Sequence, residues 1–281
     1  MTTALILTGG GSLGAVQVGM LRELMSADLR PDFIVGVSAG ALNGAFLAAD
    51  PGVATLDRMV ALWSRVTTRE ILGLSWRSLL ALAGLRDHIA DSRGLRALLA
   101  RELRARDFAS LQIPLHVISA ELTSGDSVVL STGPLWDAVL ASTAIPGVFP
   151  PVAIDGRLLV DGAVAHESPI AVAIRLGATR CIVAPCGFPC ADARVPGNAL
   201  GRAMHAITLL GCRQLRQDYE RYSASIDICV VPPLCPLGQS AYDYSRGADL
   251  IQRARSFTQA WLASGGLGRS EFPGALLPHN H

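Results

Sequence analysis

The sequence predicts an α/β domain built on a parallel sheet, and three observations carry that expectation. Short apolar runs rich in β-branched residues alternate with longer stretches of helical period. Two of the strand-to-helix junctions are crowded with glycine. A chain of 281 residues is also long enough to bury one large core or two small ones. Residues 4–8 read as the first strand, and Gly9-Gly10-Gly11-Ser12-Leu13-Gly14 then opens a helix to about Ala27 whose apolar stripe is Val16, Met20, Leu21 and Leu24. Residues 33–37 read as the second strand, running into Gly36-Val37-Ser38-Ala39-Gly40 and a helix of small residues to Ala49.

These two junctions concentrate the chemistry. A serine hydroxyl is a poor nucleophile until a base takes its proton, and it must project from backbone bent too sharply for a Cβ on either side. Gly36 and Gly40 leave that room around Ser38. The helix that follows directs its first amides and positive dipole end at the oxygen that becomes charged in acyl transfer. A serine met by chance on a glycine-rich turn is the plain alternative, and the strand-turn-helix context argues against it. At the first junction, Gly9, Gly11 and Gly14 match a G-x-G-x-x-G that could cradle a dinucleotide. That fold wants an acidic residue closing the second strand, where this chain has Gly36-Val37-Ser38; Asp28 and Asp32 come before the strand. The other use is an oxyanion hole: both loops lie at carboxyl ends of parallel strands, so the amides of Gly10 and Gly11 can face the carbonyl that Ser38 attacks. A loop that merely turns tightly remains as the third reading.

Residues 51–111 read as helical, with Asp91-Ser92 capping a helix to Arg104. Residues 71–85 are an apolar stretch containing Trp76; they read first as a buried helix, with a mobile cap over the site or a patch resting on lipid as the alternative. Residues 114–121 and 127–130 form a hairpin, and residues 136–142 a helix. Residues 144–151 form a proline-pinned apolar loop suited to lining an acyl pocket. Residues 152–154 and 157–160 pair around Asp155-Gly156 and deliver Asp161-Gly162-Ala163; locally, Asp161 is as well placed to cap a turn as to serve a site. Further strands are expected at 180–184 and 226–231 and helices at 197–222 and 246–263. The charges Arg213, Arg216, Asp218, Glu220 and Arg221 make a solvated face. Residues 1–264 are read as one domain and 265–281 as a loose tail.

Composition narrows the class. A net charge of +1 gives no electrostatic case for nucleic acid, and no run of about 18 apolar residues reads as a membrane span. All 24 basic residues are arginine. The first residues lack a basic region and read as a buried strand, so the chain is expected in the cytoplasm, with peripheral membrane contact compatible with it. Cys181, Cys186 and Cys190 do not match zinc spacing and are expected to be reduced structural thiols; no metal is expected.

Taken in order, Gly9–Gly14, Gly36–Gly40 and Asp161-Gly162-Ala163, with the stretch Ala141-Ser142-Thr143-Ala144-Ile145-Pro146-Gly147-Val148-Phe149, resemble the patatin-like phospholipases over residues 5–176, and the resemblance resumes over residues 244–261 in a helix that closes such domains. The resemblance implies a three-layer α/β/α domain with a mainly parallel sheet, a serine-aspartate dyad of Ser38 and Asp161, and oxyanion amides from the loop Gly9, Gly10, Gly11 and Gly14. Gly36, Gly40 and Gly162 would support these motifs. It implies a lipid ester as partner, no cofactor, and no particular head group or oligomeric state. The elbow's early position agrees with a dyad, because α/β-hydrolases place it after several strands and follow the acid with a histidine. Of His166, His205, His279 and His281, only His166 is placed to reach the site. Two departures stand out: Leu13 where the family carries arginine or lysine, and His166 where it commonly has asparagine. They motivate the alternative of a catalytically silent lipid-binding or interaction protein.

Overall fold

The computed structural model describes residues 1–72, 88–187, 199–237 and 240–276. Eight strands make one sheet: β1 (Thr3–Leu7), β2 (Phe33–Val37), β3 (Leu115–Glu121), β4 (Ser127–Leu130), β5 (Val152–Ile154), β6 (Arg157–Asp161), β7 (Arg180–Ala184) and β8 (Asp227–Val230). Their order is β5-β6-β3-β2-β1-β7-β8, with β4 also on β3. The pairs β1–β2, β2–β3, β1–β7 and β7–β8 are parallel, as helical crossovers require. The pairs β3–β4, β3–β6 and β5–β6 are antiparallel. At the β5–β6 turn Asp155 and Gly156 both adopt positive φ, 49° and 75°, which is the geometry a two-residue hairpin favours.

The helices are α1 (Gly14–Ser26), α2 (Ala39–Ala49), α3 (Val53–Arg65), α4 (Thr68–Leu72), α5 (Arg93–Glu102), α6 (Leu135–Ser142), α7 (Pro169–Arg175), α8 (Ala199–Tyr222) and α9 (Gly247–Ala263). Alternation along each strand sorts them into two layers. Leu5, Leu7, Val117 and Ile182 face a core built with α1, α2, α3, α5, α6 and α9. Ala4, Ile6, Val35, Val37 and Val183 face a second core closed by α7, Leu215 of α8 and Leu276. The result is the three-layer α/β/α architecture. β1 and β2 are buried on both faces and so lack the apolar-polar alternation of half-exposed strands.

One register places the site. β2 lies along β3 as far as Val37 opposite Ile118, while Asp161, the last residue of β6, lies opposite Ser119. β4 pairs with residues 117–120 of β3, so it occupies the other edge. β2 and β6 therefore share one edge of β3 end to end. Because one runs parallel and the other antiparallel to β3, their carboxyl ends meet.

A buried polar chain ties the layers together beneath this point. Trp63 Nε1 donates to Asn43 Oδ1 at 2.8 Å, and Asn43 Nδ2 donates to Gly14 O and Gln17 Oε1 at 3.0 Å each. Gln17 Nε2 in turn donates to Thr8 O and Ala184 O at 2.9 and 2.8 Å. It links α1, α2 and α3 to the ends of β1 and β7.

The structure corrects several expectations. The segment 265–276 is anchored at two points although residues 268–271 are exposed: Phe272 lies against Tyr219 and Leu276 is buried in the second core. Asp218 is half-buried and accepts a hydrogen bond from Ser168 Oγ, the residue capping α7, so it does not belong to a solvated face. The carboxylate at the start of α5 comes from Asp91, which accepts from Arg93 N, whereas Ser92 makes no side-chain cap bond. Most of the stretch 71–85 lies outside the described residues. Among the described residues no helix is long and apolar enough to cross a membrane.

Asn43→Ala leaves Trp63 Nε1 and Gln17 Oε1 without their partner, and an unmet buried polar group costs about 1–3 kcal/mol. A fall in urea-unfolding free energy of about 2–4 kcal/mol at unchanged m-value is expected. A change within about 0.5 kcal/mol would show that the chain is not a stabilising element.

Candidate active site

Ser38 stands between the last residue of β2 and the first of α2 with φ 52° and ψ −121°, a region that a non-glycine residue occupies only under constraint. Close packing supplies the constraint. A Cβ on Gly40 would come within 2.1 Å of Leu7 O, and one on Gly36 within 2.7 Å of Ala41 Cα. Ser38 N donates to Ser142 Oγ at 2.8 Å, and Ser142 Oγ donates onward to Ile118 O at 2.6 Å. The elbow is thus pinned to the β3 residue that pairs with Val37.

Asp161 is fixed from the other side. Its N–H donates to Ala144 O at 2.9 Å, and a side chain on Gly162 would come within 2.3 Å of Ile118 O. The carboxylate caps a turn and also reaches the serine. Oδ1 accepts from Ala163 N at 2.8 Å, capping the short turn after β6, and Oδ2 accepts from Ser38 Oγ at 2.6 Å. Both side chains are buried, 6% and 3% exposed. Burial pushes the Asp161 carboxyl up to about 6, against the hydrogen bonds from Ser38 and Ala163 that pull it down. It is therefore ionised at neutral pH yet far more basic than a surface aspartate.

The glycine loop abuts the serine: a Cβ on Gly9 would touch Ser38 Cβ at 3.1 Å. Gly11 has φ +57° and lies so near Ala241 O that a Cβ would come within 2.3 Å. Among the described residues the amides of Gly10 and Gly11 donate to no acceptor, and both glycines line the same cavity as Ser38 and Asp161. Gly9, Gly10, Gly11 and Gly162 are thus gathered at the cleft. Gly14 is not: it starts α1 under the Trp63 ring, 2.5 Å from where its Cβ would stand, and serves packing. Gly36 and Gly40 likewise act by letting backbones approach. His166 is exposed, with its backbone bonded to Gly125 O and Gln214 Nε2, and it lines neither cavity. Leu13 is buried, and Cβ atoms on Gly10 and Gly187 would meet its side chain at 3.6 and 3.0 Å.

Two cavities meet at Ser38. The larger, of about 1070 Å³ with its open mouth, runs between the glycine loop, α7, α8 and Leu276. The smaller, of about 510 Å³, is walled by Leu42, Leu62, Trp63, Leu98, Phe149 and Tyr244. The loop 144–151 contributes as expected, with Ile145 reaching both. Sequence reasoning missed the parts played by Ser142, whose only signal was its place in the motif stretch, by Tyr244, which the resemblance covers without giving it a role, and by Tyr242, which lies in a segment with no local motif. Of the cysteine trio, Cys181 and Cys186 are buried free thiols and Cys190 lies outside the described residues.

A family model described as patatin-like phospholipase matches residues 5–174, and the chain belongs to that family. It is similar to patatin-like phospholipase domain-containing protein ZK370.4 of Caenorhabditis elegans, 32% identical over 184 residues. It is also similar to neuropathy target esterase sws of Drosophila melanogaster, 29% over 185 residues, and to patatin-like phospholipase domain-containing protein 7 of Rattus norvegicus, 30% over 177 residues. These matches cover 64%, 65% and 62% of this chain and 13% of each relative. Among solved structures it is similar to VipD from Legionella pneumophila, at 14% identity and TM-score 0.43 over 91% of this chain and 67% of that one. That likeness is too distant to bear on the site.

The raised carboxyl has a consequence for stability. With its folded-state value near 6 and its ordinary value 3.8, Asp161 holds its proton more tightly in the fold than in the unfolded chain. The contribution of Asp161 to stability therefore falls as pH rises from about 4 to about 6, by roughly 2–3 kcal/mol. Asp161→Asn should raise the urea midpoint at pH 8 and change it little at pH 4. A variant destabilised at pH 8 would contradict a strained, buried carboxylate.

Proposed function

We propose that the chain is a serine acyl hydrolase that cleaves fatty-acyl esters of lipids through a Ser38–Asp161 dyad and an acyl-enzyme. The observation that carries this is the 2.6 Å hydrogen bond from Ser38 Oγ to a buried, basic carboxylate, made on a strained elbow at the meeting of two apolar cavities. Membership of the patatin-like phospholipase family supports the same reading.

The reaction follows from the geometry. The acyl chain lies in the smaller apolar cavity with its ester carbonyl at Ser38. As Ser38 Oγ attacks, Asp161 Oδ2 takes the hydroxyl proton, and the amides of Gly10 and Gly11 hold the oxyanion; one such donor is typically worth ~10² to 10³ in rate. Collapse breaks the ester C–O bond, and the proton on Asp161 passes to the leaving alcohol. Water then adds to the acyl-enzyme with Asp161 again taking the proton, releasing the fatty acid and restoring Ser38. Ser142 is a positioning residue for the elbow. The acting unit is the single domain of residues 1–264, with the segment through Leu276 completing the cleft wall. Lipid is taken up during transient contact with its surface.

Because the base must be ionised, kcat/KM on a soluble p-nitrophenyl ester should rise about tenfold per pH unit below about 6 and level off above it. Ser38→Ala and Asp161→Asn should each lower it by ~10² to 10⁴. A profile flat between pH 4.5 and 7.5, or full activity in Asp161→Asn, would remove Asp161 as the base.

A further inference from the structure

The larger cavity is chemically specific in a way that the acyl-hydrolase reading leaves open. Among its described lining residues Asp161 is the one charged side chain; the rest of the wall is backbone amides, neutral polar side chains such as Thr8, Ser168 and Gln214, and apolar groups such as Ile207, Leu215 and Leu276. Leu13 brings no charge to the glycine loop and is itself buried beside Cys186 and Gly187. Tyr242 lines the cavity, and its hydroxyl makes no hydrogen bond among the described residues.

Its backbone is held firmly against the site. Ser12 N donates to Ala241 O at 2.7 Å, Ser12 Oγ to Ser240 O at 3.2 Å and Thr68 Oγ1 to Tyr242 O at 3.2 Å, so the segment is clamped to the glycine loop and to the start of α4. Burial, and then the charge of Asp161, push the phenol's titration upward, which keeps it a hydrogen-bond donor. A phosphodiester in this cavity would lose water, find no cation among the described lining residues, and lie near a carboxylate. A buried charge without a partner is strongly unfavourable. A glycerol-type alcohol incurs no such penalty and offers hydroxyl and ester oxygens to a phenolic donor.

Resting on the acyl-hydrolase reading, we infer that the larger cavity takes an uncharged alcohol portion held by the Tyr242 hydroxyl, so that the enzyme cleaves neutral acylglycerols in preference to phosphate-bearing lipids. The test compares kcat/KM for 1-oleoylglycerol, 1-oleoyl-lysophosphatidylcholine and 1-oleoyl-lysophosphatidylglycerol in one neutral detergent micelle, with methyl oleate and p-nitrophenyl butyrate alongside. The monoacylglycerol should lead both lysophospholipids by about a hundredfold. Tyr242→Phe should bring the ratio of 1-oleoylglycerol to methyl oleate down by about tenfold. Equal or faster cleavage of either lysophospholipid by the native chain overturns the inference, as does an unchanged ratio in Tyr242→Phe. If p-nitrophenyl butyrate is turned over in that case, the hydrolase reading survives and only the head-group inference fails. No turnover of any ester overturns both.

Discussion

The site depends on one topological constraint: two strands of opposite direction share a single edge of β3. β2 ends at Val37 opposite Ile118 and β6 ends at Asp161 opposite Ser119, so the register of one ladder brings together side chains 123 positions apart. Ile118 is the fixed point of the arrangement. Its carbonyl accepts from Ser142, which holds the Ser38 amide, and it stands so close to Gly162 that no side chain fits there. A shift of either strand by one residue would turn Ser38 or Asp161 to the opposite face and break the contact.

That rigidity explains how this aspartate comes to be more basic than an ordinary one. An ordinary carboxyl near 3.8 is a weak proton acceptor, and burial raises this one to about 6 while the serine hydroxyl and the Ala163 amide keep its charge solvated by the protein. The cost in folding free energy is borne by the sheet and by the two cores on its faces. The strained Ser38 backbone is a second local cost, held in place by the packing around it.

Much of this was legible in the sequence, for identifiable reasons. The strands at 4–8, 33–37 and 180–184 are apolar because they are buried on both faces, and the two glycine junctions announce themselves because backbones must touch there. Ser38 is readable from its turn, while Asp161 is not, since a capping aspartate and one facing a serine look alike until the β3 register is known; here one carboxylate caps the turn and accepts from Ser38. Gly14 shows the converse error: the glycine pattern lists it with the loop, but its space is taken by Trp63, a contact 49 positions away that no local pattern encodes. Tyr242, Ser142, the anchored segment to Leu276 and the second cavity were hidden for the same reason. Each acquires meaning from what the fold sets opposite it.

The measurement that bears most directly on the account is the intact mass of the purified chain after exposure to a fluorophosphonate, with peptide mapping, beside Ser38→Ala and Asp161→Asn. It reads the nucleophile and its base without requiring the natural substrate. A single adduct on Ser38, slowed in Asp161→Asn and absent from Ser38→Ala, is the expected result. An unlabelled native chain in the presence of detergent or lipid vesicles, or labelling that is as fast in Asp161→Asn as in the native chain, would contradict an activated Ser38–Asp161 dyad.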